Sequence, residues 1–356
     1  MKIEKKHHRL IVSLCILLVI AAGLIVFSYS LLFSHSAKPP KSQLAKQPTN
    51  TTAACKANLL FMGDTMLARS IGDQIVAGKN PYRYVDSTLR KADMRIANIE
   101  TTIADPATAV QAPGKLYTFN APLQAVPMLE NEHIDVSVLA NNHTSDYGAP
   151  ATKDMLKRFE AAKLSTVGAG TTPKLAFTAL VKTVPLHCRD GKTSVKVAFV
   201  AVNDIENNFT AVSDTHTGGA YFDKTAITGS ITQARQAGAQ FVVVVPHWGI
   251  EYQTVPSDRQ KEWAHWFIDT GADVVIGGHP HVIQPTELYK GHAIVYSMGN
   301  FIFDEMSDAS DGQMIQLPIT QTIHTTLSKT TADEPALGKV LSIPYRLTAD
   351  GFPQLK

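Results

Sequence analysis

Cysteine is scarce in this chain: three among 356 residues, Cys15, Cys55 and Cys188, with no C-x-x-C pair. That excludes thiolate zinc sites, iron–sulfur clusters and thioredoxin-type chemistry, so any metal must be held by oxygen and nitrogen. An excess of charge of either sign is also lacking. Lys and Arg number 33 against 31 Asp and Glu, a formal net charge of +2, which removes the electrostatic ground for a nucleic-acid partner. There is no G-x-S-x-G elbow and no G-x-x-x-x-G-K-S/T phosphate loop, so serine-hydrolase and nucleotide-cradling readings lose support. What the chain does have is 44% apolar and 18% charged residues with 22 Gly and 19 Pro, the composition of a folded globular protein.

One long hydrophobic run stands near the start. Residues 10–33 carry no charged side chain over 24 positions, and at about 1.5 Å per helical residue they can cross a hydrocarbon core of about 30 Å. Lys2, Lys5, Lys6 and Arg9 precede the run, which holds residues 1–9 in the cytoplasm and directs everything after residue 33 outward. A cleaved signal peptide is the competing reading, but its apolar region is typically about 7–15 residues, and no Ala-x-Ala site follows Phe33. The sequence therefore predicts a single-pass cell-membrane protein with an extracytoplasmic main domain. Residues 34–56, rich in Pro, Lys, Ser, Thr, Gln and Ala, read as a solvated linker. Cys55 and Cys188 fall on the oxidising side, where a disulfide and two free thiols are both open.

From residue 57 short β-branched runs alternate with helical stretches. Residues 59–62, 95–99, 134–139, 195–202, 241–245, 274–276 and 293–297 read as strands. Residues 150–162 and 257–270 read as helices, the second with Ser257 as N-cap, Gln260 closing a capping box and Gly271 ending it. The alternation predicts a layered α/β domain over 57–316. Residues 317–356 form a C-terminal extension with strand-compatible pieces. Residues 187–191 read as a hairpin turn, and Trp263, Trp266 and Phe267 as core.

Polar residues recur at one position, the carboxyl ends of strands. Asp64, Glu100, Asn141, Asn142, His143, His247, His279 and His281 all fall there, at the edge where open α/β sheets build their sites. Two carboxylates, one or two carboxamides and four imidazoles suit divalent manganese, iron or zinc. A binuclear centre needs a bridging carboxylate, for which Glu100 is the candidate, and can activate water while neutralising a developing oxyanion. The Gly277-Gly278-His279-Pro280-His281 turn can give one histidine to each ion.

Phe61-Met62-Gly63-Asp64, Ala97-Asn98-Ile99-Glu100-Thr101, Leu139-Ala140-Asn141-Asn142-His143, Pro246-His247-Trp248-Gly249-Ile250-Glu251, Gly278-His279-Pro280-His281-Val282 and Tyr296-Ser297-Met298-Gly299-Asn300-Phe301 together resemble the bacterial capsule-synthesis protein CapA family over residues 58–304. That family is similar to calcineurin-like metallophosphoesterases, which implies a four-layer α/β/β/α sandwich around a dimetal pocket. The resemblance implies Asp64 and His281 on one metal, Glu100 bridging, and Asn142, His247 and His279 on the other. It makes His143 an outer-sphere acid that donates to the substrate oxygen or leaving group. Asp64-Thr65-Met66 departs from the Asp-x-His start of classical phosphoesterases, so one imidazole is missing and the centre holds one ion or two. The implied function is metal-dependent hydrolysis in capsule or poly-γ-glutamate biosynthesis or export, on a surface polymer or its precursor, beside a membrane-bound synthase or export complex. A general envelope phosphoesterase and a non-catalytic polymer-binding scaffold are the alternatives.

Overall fold

The computed structural model describes residues 51–189, 191–205, 211–304, 310–326 and 329–356. The anchor expected at 10–33, the cytoplasmic start expected at 1–9 and the expected linker up to residue 50 lie outside the described residues. Among the described residues no helix is long and apolar enough to cross a membrane.

Strand β1 (Thr51–Thr65) organises the domain. Its side chains alternate with period two. Cys55, Ala57, Leu59 and Phe61 enter one apolar core, while Leu60 and Met62 enter another on the opposite face. This double burial explains the uninterrupted apolar run Leu59-Leu60-Phe61-Met62. Residues 51–56, expected as linker, are instead strand, because residues 51–61 pair antiparallel with residues 315–325. Their Thr, Ala and Cys side chains carry little of the hydrophobic signal that marks a strand in sequence.

Parallel to β1 run β2 (Met94–Ile99), β3 (Val136–Val138) and β4 (Thr166–Val167), each paired with the one before. After the small β5 (Ala169–Gly170), β6 (Leu180–Cys188) and β7 (Gly191–Asn203) form the hairpin expected around residue 190. Beyond the short β8 (Gly218–Gly219), β7 pairs in parallel with β9 (Phe241–His247), and β9 with β10 (Val274–Ile276). Then β11 (Thr286–Tyr289) and β12 (His292–Val295) complete that half, and β13 (Asn300–Ile302) returns to β1. Among the described residues β1 and β6 pair only at Lys56 and His187, where a disulfide between Cys55 and Cys188 reinforces the junction of the two halves.

Helices cover both outer faces: α1 (Arg69–Val76), α2 (Asp86–Leu89), α3 (Ala125–Asn131) and α4 (Gly148–Ala161) precede the short α5 (Pro173–Ala176), then α6 (Lys224–Gln236) and α7 (Asp258–Asp269). Ile71, Leu129, Met155 and Phe159 pack with the β1–β2 side. Ile227, Ile231, Ala264 and Phe267 pack on Val200, Val244 and Val275. Between the halves, Val197, Phe199, Val243 and Ile276 meet Leu59, Phe61, Ile96 and Val138. The capping box of α7 is present, with Ser257 and Gln260 reciprocally bonded, an arrangement worth about 1 kcal/mol.

The boundary expected at 316/317 falls inside β14 (Asp311–Thr325). The rest of the chain is β15 (Thr330–Ala332), β16 (Ala336–Leu337), β17 (Leu341–Leu347) and β18 (Pro353–Leu355), laid antiparallel on β14 or on one another. The C-terminal segment continues the sheet because β14 needs a partner on the edge that β1 leaves open.

Candidate metal centre

Five strands of the two halves deliver polar side chains to one place. Asp64 lies where the register of β1 slips against β2 and again against β13, an irregularity that re-aims a side chain. Gly63 permits it: a Cβ there would sit 2.0 Å from the Gly299 carbonyl oxygen. Glu100 is the first residue after β2, Asn142 and His143 lie in the turn after β3, and His247 closes β9. His279 and His281 leave the turn after β10 with φ of 97° and 60°, a left-handed backbone that costs a non-glycine residue about 1–3 kcal/mol and is retained mainly where function needs it.

The six expected ligands gather. Donor atoms of Glu100, His247 and His279 lie within 4.8 Å of one another, as do those of Asp64, Glu100 and His281. Glu100 is common to both groups. Asn142 Oδ1 is 2.9 Å from His247 Nε2, which attaches the carboxamide to the first group. A third grouping joins Glu251, exposed at the rim, to His279 and His281. Met66 stands apart, its sulfur accepting the Ala68 N–H at 3.1 Å within the core beside α1.

The fit to a cation can be judged from unpaired atoms. Glu100 is fully buried, yet among the described residues neither carboxylate oxygen accepts a hydrogen bond, His247 Nε2 coming no nearer than 3.5 Å to Oε1, and the Nδ1 of buried His279 has no hydrogen-bond partner either. Burying such groups without compensation costs several kcal/mol. Hard oxygen and borderline nitrogen donors converging this way fit a divalent ion; its identity is not fixed by these residues.

Electrostatics shows the same frustration. Burial, and then the neighbouring Asp64, push the Glu100 carboxyl well above its ordinary range. Burial also opposes the charged form of Asp64, but the His281 hydrogen bond, the charges of His247 and His281, and Asn98 outweigh it and lower its pKa. His281 is held at about 9, where Glu100 and Asp64 overcome the cost of burying it. Burial depresses His247 to about 4, and burial plus the neighbouring histidines put His279 well below 6.5. These two imidazoles are neutral at neutral pH, the form that binds metal.

His143 stands beside this cluster. Its Nδ1 is 2.7 Å from Asp146 Oδ2, and Phe119 stacks on its ring at 4.2 Å. Asp146 is fully buried, accepts the Phe119 N–H at 2.7 Å and is ion-paired to Lys115, which also donates to the Asn142 carbonyl. Burial brings the His143 imidazolium down to about 4 against the pull of Asp146, so the ring is neutral with Nδ1–H aimed at Asp146 and its Nε2 an acceptor.

Residues 58–305 match the family described as bacterial capsule synthesis protein PGA_cap. This chain belongs to that family. The PGA biosynthesis protein CapA of Bacillus subtilis (strain 168) is 32% identical over 248 residues, 69% of this chain and 63% of that protein. The capsule biosynthesis protein CapA of Bacillus anthracis is 31% identical over 268 residues, 73% of this chain and again 63% of the relative. The chain therefore spans less than two thirds of these curated relatives. Among solved structures, the calcineurin-like phosphoesterase YfkN from Bacillus subtilis superposes with a TM-score of 0.45 at 12% identity, over 81% of this chain and 91% of that one.

The PGA_cap site also uses residues to which the sequence reading gave no role. Asn98 Nδ2 donates to Asp64 Oδ1 at 2.8 Å and lies 3.3 Å from His247 Nδ1, while its Oδ1 accepts Asn141 Nδ2 at 3.0 Å. Asn300 Oδ1 is 2.8 Å from His281 Nδ1, and Tyr345 of the C-terminal segment donates to the Asn300 carbonyl at 2.7 Å. Asn98 and Asn300 stand inside the quoted motifs, and Asp146 follows His143 by three residues, so these were readable. Lys115 lies 31 residues before Asp146 in an irregular segment, and no local pattern points to it.

Proposed function

We propose that this chain is a membrane-anchored, extracytoplasmic, metal-dependent hydrolase of capsule or poly-γ-glutamate biosynthesis. The observation that carries the reading is Glu100, buried, shared by two donor groups and, among the described residues, without a hydrogen bond to either oxygen. In this reading Asp64, Glu100 and His281 hold one divalent ion, and Glu100, Asn142, His247 and His279 hold another. When bound, such ions supply Lewis acidity toward a phosphoryl or carbonyl oxygen and acidify water.

The chain's own groups do the rest. Asp146, fixed by Lys115 and the Phe119 N–H, orients the His143 ring through Nδ1, so that Nε2 is the atom that takes a proton from the attacking water and returns it to the leaving group. Asn98 braces Asp64 and His247 together, and Asn300 braces His281. Stacked cores on both faces of the β1 half and of the β9 half support a four-layer α/β/β/α arrangement. The apolar run at 10–33 with Lys and Arg before it supports the anchor. The Cys55–Cys188 disulfide supports an oxidising compartment. Membership of a capsule synthesis family supports a surface polymer or its precursor as substrate and a membrane-bound synthase or export complex as partner.

The test is made on full chain in detergent: metal content by elemental analysis, then turnover of γ-glutamyl polymer and of an aryl phosphate by wild type and His143→Ala. Bound metal with polymer turnover that falls in the variant is the expected result. Turnover of aryl phosphate alone would favour a general envelope phosphoesterase. Metal-free, inactive, folded protein would favour a polymer-binding scaffold.

A further inference from the structure

Strands β9 and β10 deliver donors to the centre at their carboxyl ends; at their amino ends, together with that of β12, the core between the two halves lies open. A cavity of about 730 Å³ is lined there by Phe241, Val274 and Ala293 of these three strands and by Leu317, Leu337 and Val340 of the C-terminal segment. All six belong to the core between the halves or pack against it, so the cavity is a gap in that core. Leu288, 72% exposed, stands at its rim. The two acids of the cavity are already engaged. Asp273 pairs with Arg235 of α6 at 2.6 Å and accepts the Val242 N–H at 2.6 Å. Glu287 accepts the Tyr296 hydroxyl at 2.6 Å and lies 2.7 Å from His265 Nε2. Lys339 is exposed at the mouth, and among the described residues no carboxylate pairs with it.

The chain enters the domain at this same pole. Strand β1 is antiparallel to β6, β6 to β7, and β7 is parallel to β9, so Thr51 lies at the end of β1 away from Asp64. Lys56 and Ala57 pair with Thr320 and Ile319, which pair in turn with Ala336 and the cavity residue Leu337. Between the apolar run at 10–33 and Thr51 stand the 17 residues 34–50, at most about 60 Å of extended chain.

We propose that this cavity takes one acyl chain of an anionic phospholipid from the membrane that holds the anchor, with the Lys339 ammonium on the lipid phosphate. The inference rests on the proposed anchor and on nothing at the metal centre. The volume is that of an ordinary ligand cavity, about 300–1,000 Å³. An acyl chain leaving a bilayer exchanges one apolar surrounding for another; the gain comes from the cavity wall, whose apolar surface is removed from water. Asp273 and Glu287, neutralised by their own partners, do not repel an anionic headgroup, and the unpaired Lys339 attracts it. A γ-glutamyl polymer fits poorly, since it would press a carboxylate per residue against an apolar wall. The short reach from the anchor keeps this pole, rather than a distant surface, within range of the lipid.

The experiment reconstitutes the full chain into vesicles of phosphatidylcholine and phosphatidylglycerol, the latter carrying a diazirine near the end of one acyl chain. After photolysis the labelled peptides are mapped by mass spectrometry. Label is expected at two places, residues 10–33 and the residues lining the cavity. Ala293→Phe, which puts a ring into the cavity, should abolish the cavity label. Lys339→Glu, on an exposed side chain, should lower it about fivefold or more with an unchanged melting temperature; both variants should keep the label at 10–33. Wild type labelled at 10–33 but not in the cavity overturns the proposal and leaves the cavity to a second copy or another protein. Cavity label that Lys339→Glu leaves at the wild-type level also overturns it, whether or not Ala293→Phe folds. Missing label at 10–33 refutes the anchor, and the cavity peptides, scored separately, still decide whether the cavity takes the lipid.

Discussion

Replacing Glu100 by Gln should separate the stability of the fold from its capacity for metal. In metal-free protein the carboxylates of Glu100 and Asp64 are both fully buried, with donor atoms within 4.8 Å of each other. Two unit charges 4.8 Å apart repel by about 3.5 kcal/mol at an effective dielectric of about 20, a repulsion that protonation of Glu100 relieves. The Gln side chain removes this term but buries an amide with unmet hydrogen bonds, at about 1–3 kcal/mol. The metal-free variant should therefore lie between unchanged and about 2.5 kcal/mol more stable than wild type. With a divalent ion at a hundred times its dissociation constant, wild type should gain about 2.7 kcal/mol and the variant almost nothing, because both donor groups lose their shared charge. At about 2–4 °C per kcal/mol, scanning calorimetry in chelator and in excess Mn2+ should show the order of the two melting temperatures level or reversed between the conditions. A variant that is less stable in chelator by the roughly 3–5 kcal/mol typical of breaking a partnered buried charge, or that keeps the full metal-dependent rise, would refute the reasoning.

Other substitutions probe other aspects of the site and fold. His143→Ala should lower turnover by about 10²–10⁴ with metal content unchanged, since the ring lies outside the donor groups; loss of metal in elemental analysis would contradict that placement. Gly278→Ala puts a Cβ 2.6 Å from Asp64 Oδ1, so metal content should drop while far-UV circular dichroism stays native. Reduction of Cys55–Cys188 opens a link across 133 residues, expected to cost about 2–5 kcal/mol; an unchanged melting temperature in reductant would show that the two halves are held by packing alone.

Much of the site was legible because its residues obey one rule of α/β sheets. Asp64, Glu100, Asn142, His247, His279 and His281 each follow or end an apolar run, and parallel strands bring such ends to a common edge. The strands at 95–99, 241–245 and 274–276 were readable for the same reason: burial on both faces makes their apolar runs continuous. The first half of β1 and the strands after residue 317 were harder. Their Thr, Gln and Ala side chains alternate weakly, and what makes them strands is long-range pairing of residues 51–61 with 315–325, which no local window contains. The contribution of Lys115 to Asp146 is invisible for a similar reason, since it depends on how an irregular segment is folded back. The protonation state of His143 is hidden for a different reason: burial, a tertiary property, sets it.

The route by which the chain enters the domain has a mechanical corollary. A pull applied at Thr51 runs along β1, whose eleven residue pairs with β14 would have to slide together rather than unzip in turn. Four residues further in, the sulfur bridge passes the load sideways to β6, so tension arriving at the N-terminal end is shared between both sheet halves before it reaches Asp64. The donor cluster around Asp64 would keep its geometry under such traction.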